Sequence, residues 1–169
     1  MSFINSKFDS QIPQATKLDK DDEAILQAIK AKVDAAAQEI ESSWLQSAAN
    51  TLIAISRIGN QYLNDKEPWN LMKTDKEKAA TIFYVAAQVV KAVTVVSAPF
   101  IPETAEQLWQ TLNLPGSVDK SNWAEALKHL EAGHKIAKPK PLFHKIDADE
   151  AKLDEQLAQV RAKLASQPK

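Results

Sequence analysis

The sequence predicts an all-α protein, a bundle of helices in a single domain that spans residues 1–169. Glycine stands at only three of the 169 positions, and this scarcity favours helix over turn-rich β structure. Apolar residues recur at steps of three and four along most of the chain, as they do on one face of a helix. Hydrophobic residues make up 44% of the chain, which is enough for a globular domain with a buried core.

Two helices are predicted in the N-terminal part of the chain. The apolar stripe of the first consists of Ile25, Ile29, Val33, Ala36 and Ile40. Acidic residues 21–23 lie in its first turn, where the helix dipole favours negative charge. The second helix is predicted from Ser42 or Ser43 to about Asn64, with little or no break before it. Its core-facing stripe consists of Trp44, Ala48, Leu52, Ile55, Gly59 and Tyr62.

A connection over residues 65–69 precedes a third helix over residues 76–97. Pro68 ends the second helix, because proline lacks an N–H donor and disfavours helix in the residue before it. Asp75 is the predicted cap of the third helix. Apolar side chains run nearly all round this helix, which is typical of a helix at the centre of a core.

The remaining third of the chain alternates short helices with irregular segments. A fourth helix is expected from Pro102 and contains Leu108, Trp109 and Leu112. A short helix follows over 122–130. Residues 133–146 lack a period and contain two prolines, so we expect an ordered loop or a short extended hairpin. A last amphipathic helix is predicted from about Asp149 to Ala165.

Several classes of protein are excluded or disfavoured by composition and motif. The chain has no cysteine, which excludes disulfides, thiolate metal sites and cysteine nucleophiles. His129, His134 and His144 match no usual zinc spacing, and neither a phosphate-binding glycine loop nor a nucleophile elbow is present. Gln88 and Lys91 interrupt the longest apolar stretch, so no membrane span is expected. The start has no signal-peptide pattern, which favours a cytoplasmic location.

Two features suggest a binding surface for nucleic acid. Trp69 follows a proline at a helix end, where its indole either caps the core or provides a platform on which an unpaired base stacks. A basic run comprises Lys128, Lys135, Lys138, Lys140 and Lys145, and it is either a solvated loop or a set of phosphate contacts. The net charge of −1 means that any grip on nucleic acid is local, since modules that bind by charge alone are strongly basic. The other tryptophans, Trp44, Trp109 and Trp123, are expected in the core.

A series of motifs resembles one known family. In chain order they are Phe-Ile-Asn-Ser-Lys-Phe at 3–8, Gly-Asn-Gln-Tyr-Leu-Asn-Asp-Lys-Glu-Pro-Trp at 59–69, Ala-Pro-Phe-Ile-Pro at 98–102, Gly-His-Lys-Ile at 133–136 and Pro-Leu-Phe-His-Lys-Ile-Asp at 141–147. Together they resemble the C-terminal anticodon-binding domain of methionyl-tRNA synthetase, a class I enzyme. The element around Trp69 is shared loosely with the domains for leucine, valine and isoleucine, whereas the last two motifs point to methionine.

The resemblance implies a helix bundle of the class I synthetase anticodon-binding type that reads the CAU anticodon of methionine tRNAs. It implies that Trp69 stacks on an anticodon base, with Asn60, Arg57, Asn5 and Lys7 as candidates for polar contacts. The family also uses an asparagine and an arginine just before the Phe-Ile-Asn motif, and its ATP-binding signatures; these are absent here. We therefore expect a fragment of methionine–tRNA ligase without a catalytic site.

The same resemblance implies the partners and cofactors. The partners would be methionine tRNA, through its anticodon loop, and the catalytic domain of the parent chain, with no membrane. The chain itself would hold no cofactor or metal, while the parent enzyme would use ATP and Mg²⁺, with Zn²⁺ a further candidate. Two alternatives remain open: a helical protein-interaction module, and the anticodon-binding domain of another class I synthetase.

Overall fold

The computed structural model describes residues 1–143 together with residues 155, 157–159 and 161. Its α-helices are α1 (Ser2–Lys7), α2 (Lys20–Glu41), α3 (Leu45–Lys66), α4 (Pro68–Leu71), α5 (Lys76–Ser97) and α6 (Pro102–Thr111). Two 3₁₀ helices, Val118–Lys120 and Trp123–Leu127, follow α6. The all-α prediction is confirmed, since extended pairing in the described part is limited to one antiparallel bridge between Gln11 and Lys135. The predicted last helix lies outside the described residues apart from positions 155, 157–159 and 161, which are helical.

Helix α5 lies at the centre of the bundle, as predicted. It contributes residues to each of the three core clusters, and α2, α3, α4 and α6 all pack against it. Asp75 caps it, because its Oδ1 accepts a hydrogen bond from the Lys78 N–H at 2.9 Å. Within the described residues, α5 alone is long and apolar enough to cross a membrane, but 72% of that stretch is buried inside the bundle. Its composition is therefore that of a core helix.

The N-terminus of α2 is joined to the C-terminal end of α3 by polar contacts. Asp19 caps α2 by accepting hydrogen bonds from the N–H groups of Asp21 and Asp22, each at 2.9 Å. The buried Asp22 carboxylate accepts the Tyr62 hydroxyl at 2.6 Å. Lys66 donates to Asp19 and Asp21 at 3.1 and 2.6 Å. The acidic first turn predicted for α2 is confirmed, and it also fixes where α3 crosses α2.

Helix α3 approaches α5 closely at Gly59. A Cβ atom at this position would lie 2.7 Å from Cγ1 of Val89, which is closer than van der Waals contact allows. Glycine in mid-helix costs about 0.5–1 kcal/mol relative to alanine. The close approach of α3 and α5 leaves no room for a side chain, which explains the glycine at this position.

The prediction that Trp44 lies in the core is wrong. Ser43 adopts a left-handed conformation with φ of +62°, so the chain turns between α2 and α3, and α3 begins only at Leu45. Trp44 thus precedes the first turn of α3 and is 66% exposed. Trp109 is buried as predicted, and Trp123 is half-buried with its indole N–H donating to the Val33 carbonyl at 3.0 Å.

The helix predicted over 122–130 is shorter than expected. It is the 3₁₀ helix Trp123–Leu127, after which Leu130 is held in place by the side chain of Gln88. The loop predicted from residue 133 is ordered where the structure describes it. It pairs with the segment at residues 10–12 and not with itself, through hydrogen bonds from the Ile12 N–H to the His134 carbonyl and from the Ile136 N–H to the Ser10 carbonyl. Helix α4, where sequence predicted a connection, forms because Pro68 suits a first helical turn.

Gly59→Ala is expected to destabilise the fold by about 1–3 kcal/mol, because the new methyl group overlaps Val89. In a Val89→Ala background the overlap is gone, and the same change should stabilise α3 by up to ~1 kcal/mol through better helix propensity. Urea unfolding of the four proteins measures both steps of this cycle. Equal destabilisation in the two backgrounds would contradict the proposed contact.

Asp19→Asn is expected to lower the free energy of unfolding at neutral pH. It should also make that free energy less dependent on pH in the acid range. The Asp22 N–H, with Lys66 beside it, lowers the pKa of the Asp19 carboxyl. A lowered pKa in the folded state gives stability that is present above the unfolded pKa of 3.8 and is lost as pH falls through the folded value. Asparagine keeps the helix cap but removes its charge. Urea unfolding between neutral pH and about pH 2 should therefore show that the free energies of unfolding of the two proteins become equal in acid. A difference between their free energies of unfolding that is the same at every pH would refute this prediction.

Candidate nucleic-acid interface

The turn between α3 and α4 places Trp69 at the surface. Glu67 ends α3 in a left-handed conformation, with φ of 42°, and its N–H donates to the Leu63 carbonyl at 3.0 Å. Pro68 is buried at the first position of α4, and Trp69 follows it directly. The indole is 38% exposed. The indole therefore packs partly against the bundle and is partly open to solvent, which leaves a surface available for stacking.

Trp69 lines a groove of about 520 Å³, which we call the aromatic groove. Its walls come from α1, α3, α4, α5, α6 and Leu142, and include Phe3, Ile4, Ser56, Gly59, Asn60, Leu63, Trp69, Phe83 and Leu108. None of the lining side chains carries a charge, and the polar ones are Ser2, Ser56 and Asn60. A groove with this lining accepts flat, uncharged groups and offers one amide for hydrogen bonding.

A second aromatic surface lies in the same groove. The Phe3 ring stacks on the Phe83 ring with their centroids 5.4 Å apart and their planes 19° from parallel. The Phe8 ring packs edge-on against Phe83, with a centroid distance of 5.8 Å. Phe3 remains 40% exposed, whereas Phe83 is buried. Sequence reasoning placed Phe3 in a family motif but did not select it as a site residue, because no periodic pattern shows which aromatic residue of α1 faces outward.

The other predicted site residues are spread over the surface. Asn60 lines the aromatic groove together with Trp69. Arg57 is exposed one turn earlier on α3 and does not line the groove. Asn5 accepts a hydrogen bond from the Ser10 hydroxyl at 2.9 Å, so its side chain is engaged within the N-terminal segment. Lys7 lines a separate cleft of about 440 Å³ beside Lys76. The structure therefore brings together two of the five residues.

The described lysines of the basic run are not among the residues that line the aromatic groove. Lys128, Lys135, Lys138 and Lys140 are exposed, and Lys145 lies outside the described residues. The Lys128 ammonium is 3.5 Å from a Glu125 carboxylate oxygen, which offsets part of its charge. Lys91 has a structural role, since its buried Nζ donates to the Lys128 carbonyl at 2.7 Å. Burial lowers the pKa of Lys91, and the nearby Glu125 carboxylate partly opposes this shift.

The histidines do not form a metal site where the structure describes them. A ring nitrogen of His134 lies 2.6 Å from the Leu112 carbonyl oxygen, and His129 packs edge-on against Tyr84. His144 lies outside the described part. Among the described residues, no group of three His, Asp or Glu side chains is close enough to bind a metal ion.

Comparison with known proteins relates this geometry to one family. The family model of the anticodon binding domain of methionyl tRNA ligase matches residues 12–163. The methionine–tRNA ligase of Pyrobaculum calidifontis is 36% identical over 152 residues, which are 90% of this chain and 26% of the relative. That of Methanopyrus kandleri is 34% identical over 150 residues, 89% of this chain and 22% of the relative. The chain thus spans about a quarter of the length of these curated relatives.

The solved structures show a similar fold. The apo form of Mycobacterium tuberculosis methionyl-tRNA synthetase matches 86% of this chain and 30% of its own, with a TM-score of 0.80 at 19% sequence identity. At this identity the likeness supports the helical architecture alone. The resemblance drawn from the motifs is confirmed by the family match over most of the chain. The chain belongs to the family of anticodon-binding domains of methionyl-tRNA ligases.

Proposed function

We propose that this chain recognises the CAU anticodon of methionine tRNAs for a ligase that attaches methionine to tRNA with ATP. The observation that carries the proposal is the exposed Trp69 indole in a groove without charged side chains. Sequence-specific recognition of RNA depends on unpaired bases that are splayed out, stacked on aromatic side chains and hydrogen-bonded at their edges. Trp69 supplies the stacking surface, and the Asn60 amide supplies the hydrogen-bonding groups.

The charge distribution supports contacts to bases inside the groove and contacts to phosphates outside it. A base inserted into the aromatic groove loses little hydration free energy, because its faces are apolar and need no counter-charge. The phosphates carry a full charge each and stay outside the groove, where the exposed Arg57, one turn from Asn60 on α3, is a candidate to contact them. With a net charge of −1, the chain has a weak overall attraction for RNA, so base contacts must supply most of its selectivity.

The activity of a whole ligase requires more than this chain. We propose that a catalytic domain is the partner that binds ATP, Mg²⁺ and methionine, and that the assembly works in the cytoplasm. The 26% and 22% coverage of the two relatives supports this division, because most of their length has no counterpart in this chain. No catalytic group is assigned to the bundle.

Trp69→Ala is expected to weaken binding of an RNA stem-loop with a CAU loop by about 5- to 150-fold, since stacking on an aromatic side chain is worth ~1–3 kcal/mol per base. Fluorescence anisotropy of a labelled stem-loop at fixed salt measures the loss. Trp44→Ala is the matched control, because Trp44 is exposed at the opposite end of α3 and does not line the groove. Equal affinity of the Trp69 variant and the parent chain would refute the proposal.

Asn60→Ala is expected to reduce discrimination between the CAU loop and loops with one base changed, because an amide that reads a base edge rejects the wrong base. A hydrogen-bonding contact of this kind is worth roughly 0.5–1.5 kcal/mol. Competition binding with single-base variants of the loop gives the specificity ratio. Asn64→Ala, one turn further along the exposed side of α3, is the control. An unchanged ratio would leave Asn60 without a role in reading.

A further inference from the structure

We propose that Phe3 is a second stacking surface, which takes a different unpaired base of the same RNA loop from the one on Trp69. This inference rests on the proposed function of the aromatic groove. It concerns a residue outside the segment that the family model matches, which begins at residue 12. Phe3 and Trp69 both line the groove and have similar exposure, 40% and 38%.

Core packing accounts for only one face of the Phe3 ring, the face that stacks on Phe83. The core contacts of α1 come from the next residue, Ile4, which is buried, and Phe8 packs at the helix end. Phe3 stays 40% exposed although it stacks on a member of the core cluster that contains Ile4. A large apolar side chain that keeps one face exposed at the edge of a groove is a candidate for contact with a ligand.

The stacked pair with Phe83 holds the Phe3 ring in a defined orientation. Phe83 is buried on α5 and is itself supported by the edge of Phe8. Because Phe83 covers one face of the Phe3 ring, a base that stacks on Phe3 would extend the pair to a stack of three rings. An ordered platform loses less rotamer entropy on binding than a free side chain does.

The chemistry of the groove selects nucleobases over other parts of RNA. The lining side chains carry no charge that could neutralise a phosphate, and three polar side chains offer few contacts for ribose hydroxyls. Phe3 on α1 and Trp69 on α4 offer two aromatic side chains in one groove, and the Asn60 amide in the same groove can bond a base edge.

The test is binding of RNA stem-loops to the full chain and its Phe3 variants. Phe3→Ala and Phe3→Leu should each weaken binding of the CAU stem-loop by about fivefold or more, whereas Phe3→Tyr, which keeps the ring, should retain the affinity. Ile101→Ala is the matched control, because Ile101 is similarly exposed and does not line the groove. Thermal unfolding of each variant identifies any that fail to fold, and the leucine variant preserves most of the apolar volume.

A series of stem-loops, each with one loop base removed, assigns the partner of each ring. We expect removal of one base to abolish the effect of Phe3→Leu, and removal of a different base to abolish the effect of Trp69→Ala. The inference is overturned if Phe3→Leu binds like the parent chain, if its effect persists whichever base is removed, or if both variants respond to the same base. Loss of affinity in the Trp69 variant alone would retain the proposed function and reject only the role of Phe3, whereas no loss in either would reject both.

Discussion

The buried polar side chains of α5 determine how the segment at residues 128–130 packs on the bundle. Gln88 is buried, and its amide oxygen accepts the Leu130 N–H at 2.7 Å while its amide nitrogen donates to the Leu130 carbonyl at 3.2 Å. Lys91, one turn later, donates to the Lys128 carbonyl. A buried polar group without a partner costs about 1–3 kcal/mol. Other arrangements of the chain around residues 128–130 would leave these side chains without partners and are therefore unfavourable. The segment is thereby held across α5, where its Leu130 completes the core.

The same central helix shapes the aromatic groove from the other side. Helix α3 lies close to α5 because Gly59 has no side chain, and α1 packs its Ile4 and Phe8 against the cluster around Phe83. Helix α4 then begins at a buried proline, which leaves the following tryptophan at the surface. The groove is thus the space between elements that are each fixed by their own packing on α5. Rigid supports of this kind favour recognition because they reduce the entropy lost on binding.

A near-neutral domain that binds RNA must gain its selectivity from contacts that salt does not screen. Stacking and hydrogen bonds to base edges meet this requirement, because they involve uncharged groups in a groove partly shielded from solvent. Phosphate contacts contribute affinity that depends on salt and carries little sequence information. The exposed lysines of the basic run do not line the groove, so under the proposed function the residues that contact phosphates would differ from those that read bases.

The sequence by itself determined the helical class, the central position of α5, the cap at Asp75 and the place of Trp69 at a helix end, but not whether its indole is exposed. These features depend on local physics: apolar periodicity, a side chain that accepts N–H groups, and a proline that ends one helix and begins another. The family, too, followed from motifs in chain order. Only the tertiary structure decided that Trp44 is exposed, that Asn60 shares a groove with Trp69 while Arg57, Asn5 and Lys7 do not, and that Phe3 stacks on Phe83. Those outcomes depend on a left-handed turn at Ser43 and on how distant helices pack on α5, and neither leaves a periodic signal in the chain.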